Sequence, residues 1–318
     1  MLNSHNNQAI DACNHYNQRN RMILNIKGKL HEWSSPVVMG ILNVTPDSFY
    51  AGSRVSADRI CDRAEQMLAD GAEMIDIGGY STRPGAAEVS ADEELSRLAP
   101  AVRALRSRFP GLIISVDTFR AGVAAECIAL GADIINDISG GDLDPQMWDV
   151  VKDTGAPYVL MHTRGTPDTM QSLTDYDDVA ADVLRDLAFK IDRLRQTGVS
   201  DIIANPGFGF AKTVDQNYRL LASLRAFGAL GCPLLAGMSR KTMVWKELGI
   251  TAAEALNGTT AINMLALING ADILRVHDVK EAVQAVRIFK AYSRNLPATR
   301  RIDTDDRHAG LNYLIIRR

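Results

Sequence analysis

Val37-Val-Met-Gly-Ile-Leu-Asn-Val-Thr-Pro-Asp-Ser-Phe49 is the stretch from which the fold of this chain can be worked out. Its first six residues form an apolar run, which is typical of a strand buried on both faces of a sheet. The run ends at Asn43, and Thr-Pro-Asp-Ser cannot continue it, because Pro46 has no N–H and Asp47 and Ser48 favour turns. The stretch therefore predicts a buried strand that delivers an amide side chain, and then a polar loop, to one edge of the fold.

The same pattern recurs along the rest of the chain. Apolar runs predict strands over Val37–Leu42, Met74–Ile77, Leu112–Val116, Asp133–Ile138, Tyr158–Met161, Asp201–Ala204, Pro233–Met238 and Asp272–Val276. Helical periodicity between them predicts helices over Val55–Asp70, Ala91–Phe109, Arg120–Leu130, Pro145–Thr154, Val179–Thr197, Gln216–Phe227, Lys241–Ile268 (broken near Gly249 and Asn257) and Val279–Ser293. Glycines in Asp-Gly-Ala, Leu-Gly-Ala, Thr-Gly-Ala and Asn-Gly-Ala end four of these helices, as C-terminal caps do.

The alternation predicts an α/β fold, a (β/α)8 TIM barrel with a short N-terminal β-hairpin extension, because the βα units repeat at a spacing of roughly 35 residues. Residues 24–30 alternate apolar and polar around a glycine and give the hairpin strand. The alternative is an open doubly wound sheet, but the G-x-G-x-x-G turn expected after its first strand is absent. We expect a partly disordered N-terminal extension over residues 1–30, a barrel over 31–294 and a polar tail over 295–318.

Composition excludes several classes of protein. The chain has 318 residues, of which 46% are hydrophobic, and its net charge is −3 with acidic and basic residues well mixed. No basic stripe indicates a nucleic-acid partner, and no apolar run is long enough to cross a membrane. The four cysteines are scattered without paired spacing, and the N-terminus lacks the apolar core of a signal peptide. These features favour the reducing cytoplasm.

Almost every predicted strand ends in a side chain that can form hydrogen bonds. These ends carry Asn43, Asp76, Asp117, Asn136, His162, Asn205, Ser239-Arg240-Lys241, Arg275 and His277. Strand ends converge on one rim of a barrel, so we expect a polar pocket above an apolar core. Carboxylates and amides suit the edge of a flat heterocycle, and the cations of the last two strands suit phosphate or pyrophosphate. The Asn43 oxygen is acceptable to Mg²⁺.

Two long polar loops follow the first two strands. Residues 43–54 form the first, and residues 78–87, which include Ser81-Thr-Arg-Pro-Gly85, form the second. Loops of this composition over a barrel rim are typical of lids. Neither a Ser-His-Asp or Cys-His pairing nor a zinc spacing stands out, so the sequence disfavours covalent and zinc mechanisms.

Taken together, these stretches resemble the dihydropteroate synthase family of pterin-binding barrels. The matching blocks are Met39–Phe49, Ser81–Gly85, Ser115-Val-Asp-Thr118, Ile135–Gly141, Leu160-Met-His162, Pro206–Phe210, Ser239-Arg-Lys241 and Arg275-Val-His277. The resemblance implies condensation of 6-hydroxymethyl-7,8-dihydropterin pyrophosphate with p-aminobenzoate, with release of pyrophosphate by a dissociative substitution. It also implies a homodimer, for which the apolar helix around Gly258–Ile268 is the expected contact, and competition by sulfonamides.

The same resemblance implies a role for each site residue. Asn43 would bind Mg²⁺, while Arg275 and His277 would hold the pyrophosphate with help from Thr82. Asp117, Asn136, Lys241 and Asn205 would read the pterin edge, with Asp76 near the floor of the pocket and Met161 in its wall. Phe49, Arg83, Pro84, Phe210 and Ser239 would form the p-aminobenzoate pocket. Asp117, Lys241 and Arg275 are the residues expected to act in catalysis, and His162 is expected to be structural.

One residue departs from the family pattern. Asn205 stands where the family usually has Asp before Pro-Gly-Phe-Gly-Phe, and an amide offers one acceptor oxygen where a carboxylate offers two. Two other functions remain open on the sequence, the first because of Asn205 and the second because it shares the pterin-binding barrel. One is a non-catalytic or weakened pterin-binding paralogue, and the other is a methyltetrahydrofolate–corrinoid methyltransferase, which needs neither a pyrophosphate grip nor an arylamine pocket.

Overall fold

A computed structural model of the chain describes residues 22–44, 54–80 and 89–295. The predicted disorder of the first residues, the polar tail from residue 296 onward, and the tips of the two rim loops lie outside these residues. So do four predicted site residues, namely Phe49, Thr82, Arg83 and Pro84. None of the described helices has the length and apolar character needed to cross a membrane.

The described residues form ten strands and nine α-helices. The strands are β1 (Met22–Ile26), β2 (Lys29–Trp33), β3 (Val37–Asn43), β4 (Met74–Gly78), β5 (Ile113–Asp117), β6 (Ile134–Asp137), β7 (Tyr158–Met161), β8 (Ile202–Asn205), β9 (Leu235–Ala236) and β10 (Ile273–Val276). The helices are α1 (Arg54–Ala69), α2 (Ala91–Arg108), α3 (Ala121–Ala129), α4 (Met147–Thr154), α5 (Val179–Gln196), α6 (Val214–Ala222), α7 (Thr242–Leu248), α8 (Leu256–Ile268) and α9 (Val279–Arg294). Two 3₁₀ helices cover Met170–Ser172 and Leu224–Leu230.

Strands β3 to β10 confirm the predicted barrel. They form one parallel sheet in the order β8-β7-β6-β5-β4-β3-β10-β9. An isolated parallel bridge between Ala204 and Leu234 brings the two edges together, and the Ala204 N–H donates to the Pro233 carbonyl at 2.8 Å. The sheet is therefore nearly closed, and the helices between its strands cover the outside.

The lower half of the barrel interior is an apolar layer sealed by the hairpin. Each of the eight barrel strands contributes to this layer, whose members are Val37, Met39, Met74, Ile113, Ile134, Val159, Ile203, Leu235 and Ile273. Three residues of β1, Met22, Leu24 and Ile26, belong to the same cluster. Because β1 alternates buried and exposed positions, its apolar face closes the amino end of the barrel.

Polar contacts fix the hairpin in this place. The Lys27 ammonium donates to the Gly131 carbonyl at 3.0 Å and lies 2.6 Å from an oxygen of Asp133. The Asn25 N–H donates to the Asp201 carboxylate at 2.7 Å. The predicted hairpin extension is thus an integral plug of the barrel.

The upper half of the interior is polar, and strand alternation explains the change. Side chains two residues apart share a face of a strand, so the residue two places after each apolar inner residue also points inward. Met74, Ile134 and Ile273 are followed in this way by Asp76, Asn136 and Arg275. The same step leads from Val159 to Met161 and from Ile203 to Asn205. The predicted site residues therefore share the mouth of the barrel because of the two-residue period.

Two sequence predictions about the last third of the chain were wrong. Strand β9 covers only Leu235–Ala236, since Gly237 and Met238 leave the sheet to begin the turn that carries the site residues. The helix predicted over Gln216–Phe227 ends at Ala222 and continues as the 3₁₀ turn. The predicted break in the segment Lys241–Ile268 is confirmed, because α7 ends at Leu248 and α8 begins at Leu256.

Replacing Leu24 by Ala tests the plug. Leu24 is 1% exposed, so its truncation removes buried contacts at the barrel end and should lower the free energy of unfolding by about 2 to 5 kcal/mol. Chemical denaturation measures this change. Ile23→Ala is the matched control, because Ile23 is the next residue of the strand but is 49% exposed. A plug is contradicted if both variants are equally stable.

Candidate active site

The floor of the barrel mouth is an ion network centred on Arg275. The Arg275 guanidinium donates to the carboxylates of Asp76 and Asp117, each at 2.6 Å. The second oxygen of Asp76 accepts from the Ser115 hydroxyl at 2.6 Å. Asp76 is fully buried, so both of its oxygens are satisfied by protein groups. This network joins β4, β5 and β10 across the barrel.

Burial controls the charges in this network. It raises the pKa of Asp117 to about 7, against the opposing effect of the Arg275 cation. Burial also disfavours the Arg275 charge, but Asp76 and Asp117 together raise the pKa of that guanidinium. Arg275 is therefore held as a cation, and Asp117 changes charge near neutrality.

Asn136 offers an unused acceptor beside the floor. Its amide nitrogen donates to Asp76 at 3.1 Å, while its amide oxygen is buried and has no hydrogen-bond partner. An orphaned buried acceptor costs about 1 to 3 kcal/mol, so such a group is expected where a ligand supplies the donor. The residue is 2% exposed, so it is held in place before any ligand arrives.

Lys241 lies close to this floor. Its ammonium donates to the Phe208 carbonyl and lies 4.4 Å from the centroid of the Phe210 ring. Burial and, to a smaller extent, the nearby Arg275 lower the pKa of Lys241 to about 7, against the opposing effect of Asp117. The Phe210 ring thus forms part of the same pocket as the lysine.

The turn after β8 depends on close packing and on Asn205. Gly207 has φ +72°, and a side chain there would start 1.9 Å from the His162 carbonyl oxygen, so only glycine fits. The Gly207 N–H donates to the Asn205 amide oxygen at 3.0 Å. Because a backbone N–H can only donate, the oxygen of Asn205 faces the turn and its NH₂ group points the other way.

His162 is held from behind by a buried lysine. The Lys212 ammonium nitrogen lies 3.1 Å from His162 Nδ1 and donates to the carbonyls of Gly207 and Phe210 at 3.1 and 3.0 Å. Burial and, to a smaller extent, Lys212 lower the pKa of His162 to about 2, so the ring stays neutral. Burial also lowers the pKa of Lys212. This pair supports the turn, in keeping with the structural role that the sequence predicts for His162.

The remaining described residues complete the rim. The Ser239 hydroxyl lies 3.1 Å from His277 Nδ1 and accepts from the His277 N–H at 3.2 Å, which joins the ends of β9 and β10. Met161 is buried in the wall. Asn43 is exposed at the end of β3. Its amide oxygen and the Asp117 side chain both lie near Gly78. A Cβ atom added to Gly78 would be 4.0 Å from Asn43 Oδ1 and 3.6 Å from Asp117 Cβ.

Sequence reasoning missed Ser115 and Lys212. Ser115 lies two places before Asp117, so strand alternation places it on the same inward face. Lys212 lies two residues beyond the predicted pocket residue Phe210, and its burial beneath the turn has no signal in a single sequence, because lysine is almost always exposed.

Comparison with known proteins agrees with this geometry. Residues 39–277 match the family of pterin binding enzymes. The dihydropteroate synthase of Escherichia coli K12 is 46% identical over 273 residues, which are 85% of this chain and 96% of that protein. The chain belongs to the pterin-binding enzyme family and, within it, to the dihydropteroate synthase family.

Two solved structures show the same fold. The dihydropteroate synthase of Xanthomonas albilineans with 4-aminobenzoic acid matches with a TM-score of 0.79 and 37% identity, over 87% of this chain and 100% of that one. The dihydropteroate synthase of Yersinia pestis in a sulfonamide drug complex matches with a TM-score of 0.79 and 43% identity, over 86% of this chain and 99% of that one.

Replacing Arg275 by Met tests the charge balance of the floor. The change leaves buried carboxylates without their cation and should lower the free energy of unfolding by about 3 to 5 kcal/mol at neutral pH. Removal of the cation raises the pKa of Asp117 in the folded state further above its value in the unfolded state. The stability of the variant therefore falls as the pH rises from the unfolded-state pKa through the folded-state pKa. Denaturation at about pH 5 and about pH 8 should therefore show the larger deficit at the higher pH.

Arg185→Met is the control, because Arg185 pairs with Asp182 on the surface and is 76% exposed. Its loss should change stability little at either pH. A deficit of Arg275→Met that is equal at both pH values would contradict the charge assignment.

Proposed function

We propose that this protein is a dihydropteroate synthase, a transferase of folate biosynthesis. It would join 6-hydroxymethyl-7,8-dihydropterin pyrophosphate to p-aminobenzoate and release pyrophosphate. The observation that carries the proposal is the buried, unpartnered oxygen of Asn136 beside the Asp76 and Asp117 carboxylates. A pterin edge carries ring N–H and amino donors, which suit these acceptors.

The geometry supports a division of roles around the mouth. Asn136, Asp117 and Lys241 surround the pterin, and Asp76 orients Asn136 and Arg275 from below. Phe210 and Ser239 flank the p-aminobenzoate, since both lie beside Lys241 at the rim. His277 and Arg275 face the pyrophosphate from β10. Phe49, Thr82, Arg83 and Pro84 stay predicted members of the pocket, because they lie outside the described residues.

These roles support a dissociative substitution. The bond between the pterin methylene carbon and the pyrophosphate oxygen breaks first, and its electron pair leaves with the pyrophosphate. The resulting pterin cation lies beside the Asp117 carboxylate, whose negative charge stabilises it. The arylamine lone pair then forms the new C–N bond, and the amine proton passes to solvent. No strong base is needed, and the neutral His162 is not in a position to be one.

A magnesium ion fits one feature of the mouth. The amide oxygen of Asn43 is an exposed hard donor next to the proposed pyrophosphate site. Mg²⁺ commonly takes one or two protein oxygens and completes its shell with waters and phosphate oxygens. The described residues contain no cluster of three or more His, Cys, Asp or Glu side chains that would hold a metal by themselves. Asn43 would therefore hold Mg²⁺ together with the substrate, and the ion would neutralise charge on the leaving pyrophosphate.

The cellular setting and the assembly are further parts of the proposal. Scattered cysteines favour the reducing cytoplasm, and the three described cysteines are free. A homodimer is supported by the packed helices α8 and α9, which expose the large apolar side chains of Leu265, Ile288 and Tyr292. Sulfonamides would compete with p-aminobenzoate at the Phe210 and Ser239 side of the pocket.

Pyrophosphate release tests the function directly. Purified protein mixed with both substrates and Mg²⁺ should release pyrophosphate and form dihydropteroate in equal amounts. A pterin-binding paralogue would bind the pterin without release, and a corrinoid methyltransferase would need neither substrate. Folded protein that releases no pyrophosphate contradicts the proposal.

The pH dependence should follow Asp117 and Lys241. Asp117 must be ionised to stabilise the pterin cation, and Lys241 must be protonated to bind the substrate, while both have a pKa of about 7. The rate constant kcat/KM for the pterin substrate should therefore have an acid and an alkaline limb around a maximum near neutrality. Lys241→Gln should lose the alkaline limb and keep the acid one. An unchanged alkaline limb would assign it to another group.

Asn205→Asp should strengthen pterin binding. The Asn205 oxygen is used by Gly207, so an aspartate would keep that bond and present a second, charged acceptor to the pterin. A charged hydrogen bond in a buried pocket corresponds to about ten- to hundredfold in affinity. Calorimetry with pterin pyrophosphate measures the change. Asn295→Asp adds the same charge on the exposed end of α9 and should have no effect; equal binding by the Asn205 variant would reject the prediction.

A further inference from the structure

Arg240 stands between two proposed substrate residues, yet its side chain makes contacts of another kind. It donates through Nε and Nη2 to the two oxygens of Asp278 at 2.8 and 2.9 Å. Its third nitrogen, Nη1, donates to the carbonyls of Ala252 and Ala253, the first at 3.0 Å and the second at 2.5 Å. Every guanidinium nitrogen of Arg240 is thus bonded to a neighbouring loop.

The backbone of Arg240 is equally constrained. Its φ is +54°, in the left-handed region that costs a residue with a side chain about 1 kcal/mol or more. Its N–H donates to the hydroxyl of Thr259 on α8 at 3.0 Å. The Lys241 N–H then closes the turn on the Met238 carbonyl at 3.1 Å. The bonds of Arg240 hold this strained turn, from which Lys241 reaches the pocket.

The contact between Arg240 and Asp278 joins β9 and β10 where the hydrogen bonds of the sheet have ended. Strand β9 pairs with β10 only through Leu235 and Ala236, so the backbone ladder stops before the rim. Two side-chain pairs continue the connection above it. Ser239 pairs with His277, and Arg240 pairs with the next residue, Asp278.

The pair also sets the charge beside the proposed pyrophosphate site. Asp278 directly follows His277 in the chain, so its carboxylate lies close to any anion that His277 holds. An unneutralised carboxylate at this place would repel an anion held by His277. The bidentate contact with Arg240 neutralises Asp278, whose carboxylate makes no capping bond to α9.

We propose that Arg240 is a positioning residue of the substrate site, which joins the ends of β9 and β10 through Asp278, keeps Ser239 on His277 and neutralises the carboxylate beside the pyrophosphate. This inference rests on the proposed function, because it assigns the pyrophosphate to the His277 side of the mouth. Arg240 touches no substrate in this account.

The test compares an anionic with an uncharged ligand. Arg240→Gln should weaken binding of inorganic pyrophosphate with Mg²⁺ by about tenfold, because it exposes the Asp278 charge and frees His277. Binding of 6-hydroxymethylpterin, which has no phosphate, should fall clearly less, because Asp76 and Asn136 keep their contacts and only Lys241 lies on the turn that Arg240 holds. Calorimetry measures both, and thermal unfolding reports any loss of fold.

Two further variants separate charge and positioning from stability. Arg240→Gln combined with Asp278→Asn should recover most of the pyrophosphate affinity, since no charge is then left unpaired. Arg106→Gln is the control for loss of a structural arginine, because Arg106 bonds the Gly131 and Leu112 carbonyls at the opposite end of the barrel. It should lower stability and leave the binding of both ligands unchanged.

Equal weakening of both ligands by Arg240→Gln, or no recovery in the double variant, would overturn the proposal. Wild-type protein that binds no pyrophosphate would overturn it together with the proposed function. Wild-type protein that binds pyrophosphate but forms no dihydropteroate would overturn the proposed function alone, while the role of Arg240 would still be decided by the variants.

Discussion

The contact on which the site depends is the one between Arg275 and the two carboxylates of Asp76 and Asp117. One guanidinium from β10 reaches across the barrel mouth and holds side chains of β4 and β5. Without this cation, two carboxylates would be buried near each other, which proteins avoid because the charge repulsion and the desolvation cost are both large. The fixed floor in turn orients Asn136, whose free oxygen is the most direct sign of a ligand.

This arrangement follows from how the barrel is filled. Strand alternation stacks inward residues in layers, and the chain places apolar residues in the lower layer and hydrogen-bonding residues in the upper one. The hairpin plug keeps water out of the lower end, so the polar layer meets solvent only through the mouth. The low dielectric around the mouth explains why Asp117 and Lys241 both change charge near neutrality. A chemistry that needs one carboxylate anion and one lysine cation is therefore confined to a narrow pH range around neutrality.

Much of the fold could be predicted from the sequence, because buried parallel strands are continuous apolar runs and helix ends carry glycine. Tyr158–Met161 was predicted residue for residue. β9 was predicted too long, since the apolar Pro233–Met238 run does not show that Gly237 begins a turn. The convergence of Asp76, Asn136 and Arg275 could be predicted from their positions at strand ends. The ion pairs between them could not, because contacts between residues such as Asp76 and Arg275, far apart in the chain, depend on how the barrel closes.

The position of Lys212 beneath the pocket could not be predicted from the sequence either. Lys212 contacts His162 and two carbonyls in a buried place, and nothing in its neighbourhood in the sequence distinguishes it from a surface lysine. Arg240 also looks like a substrate residue in the sequence, because it lies between Ser239 and Lys241. Its side chain binds Asp278 instead, which only the left-handed turn explains.

The central claim is that the orphaned acceptor of Asn136 belongs to a pterin site. The most direct measurement is the dissociation constant of 6-hydroxymethylpterin for Asn136→Ala, with Asn263→Ala in parallel. Asn263 is a second buried asparagine whose amide oxygen has no partner, and it lies on α8. If Asn136 binds the pterin, Asn136→Ala weakens pterin binding by about tenfold or more and Asn263→Ala leaves it unchanged. Equal binding by both variants, or by Asn136→Ala and the wild type, would contradict it.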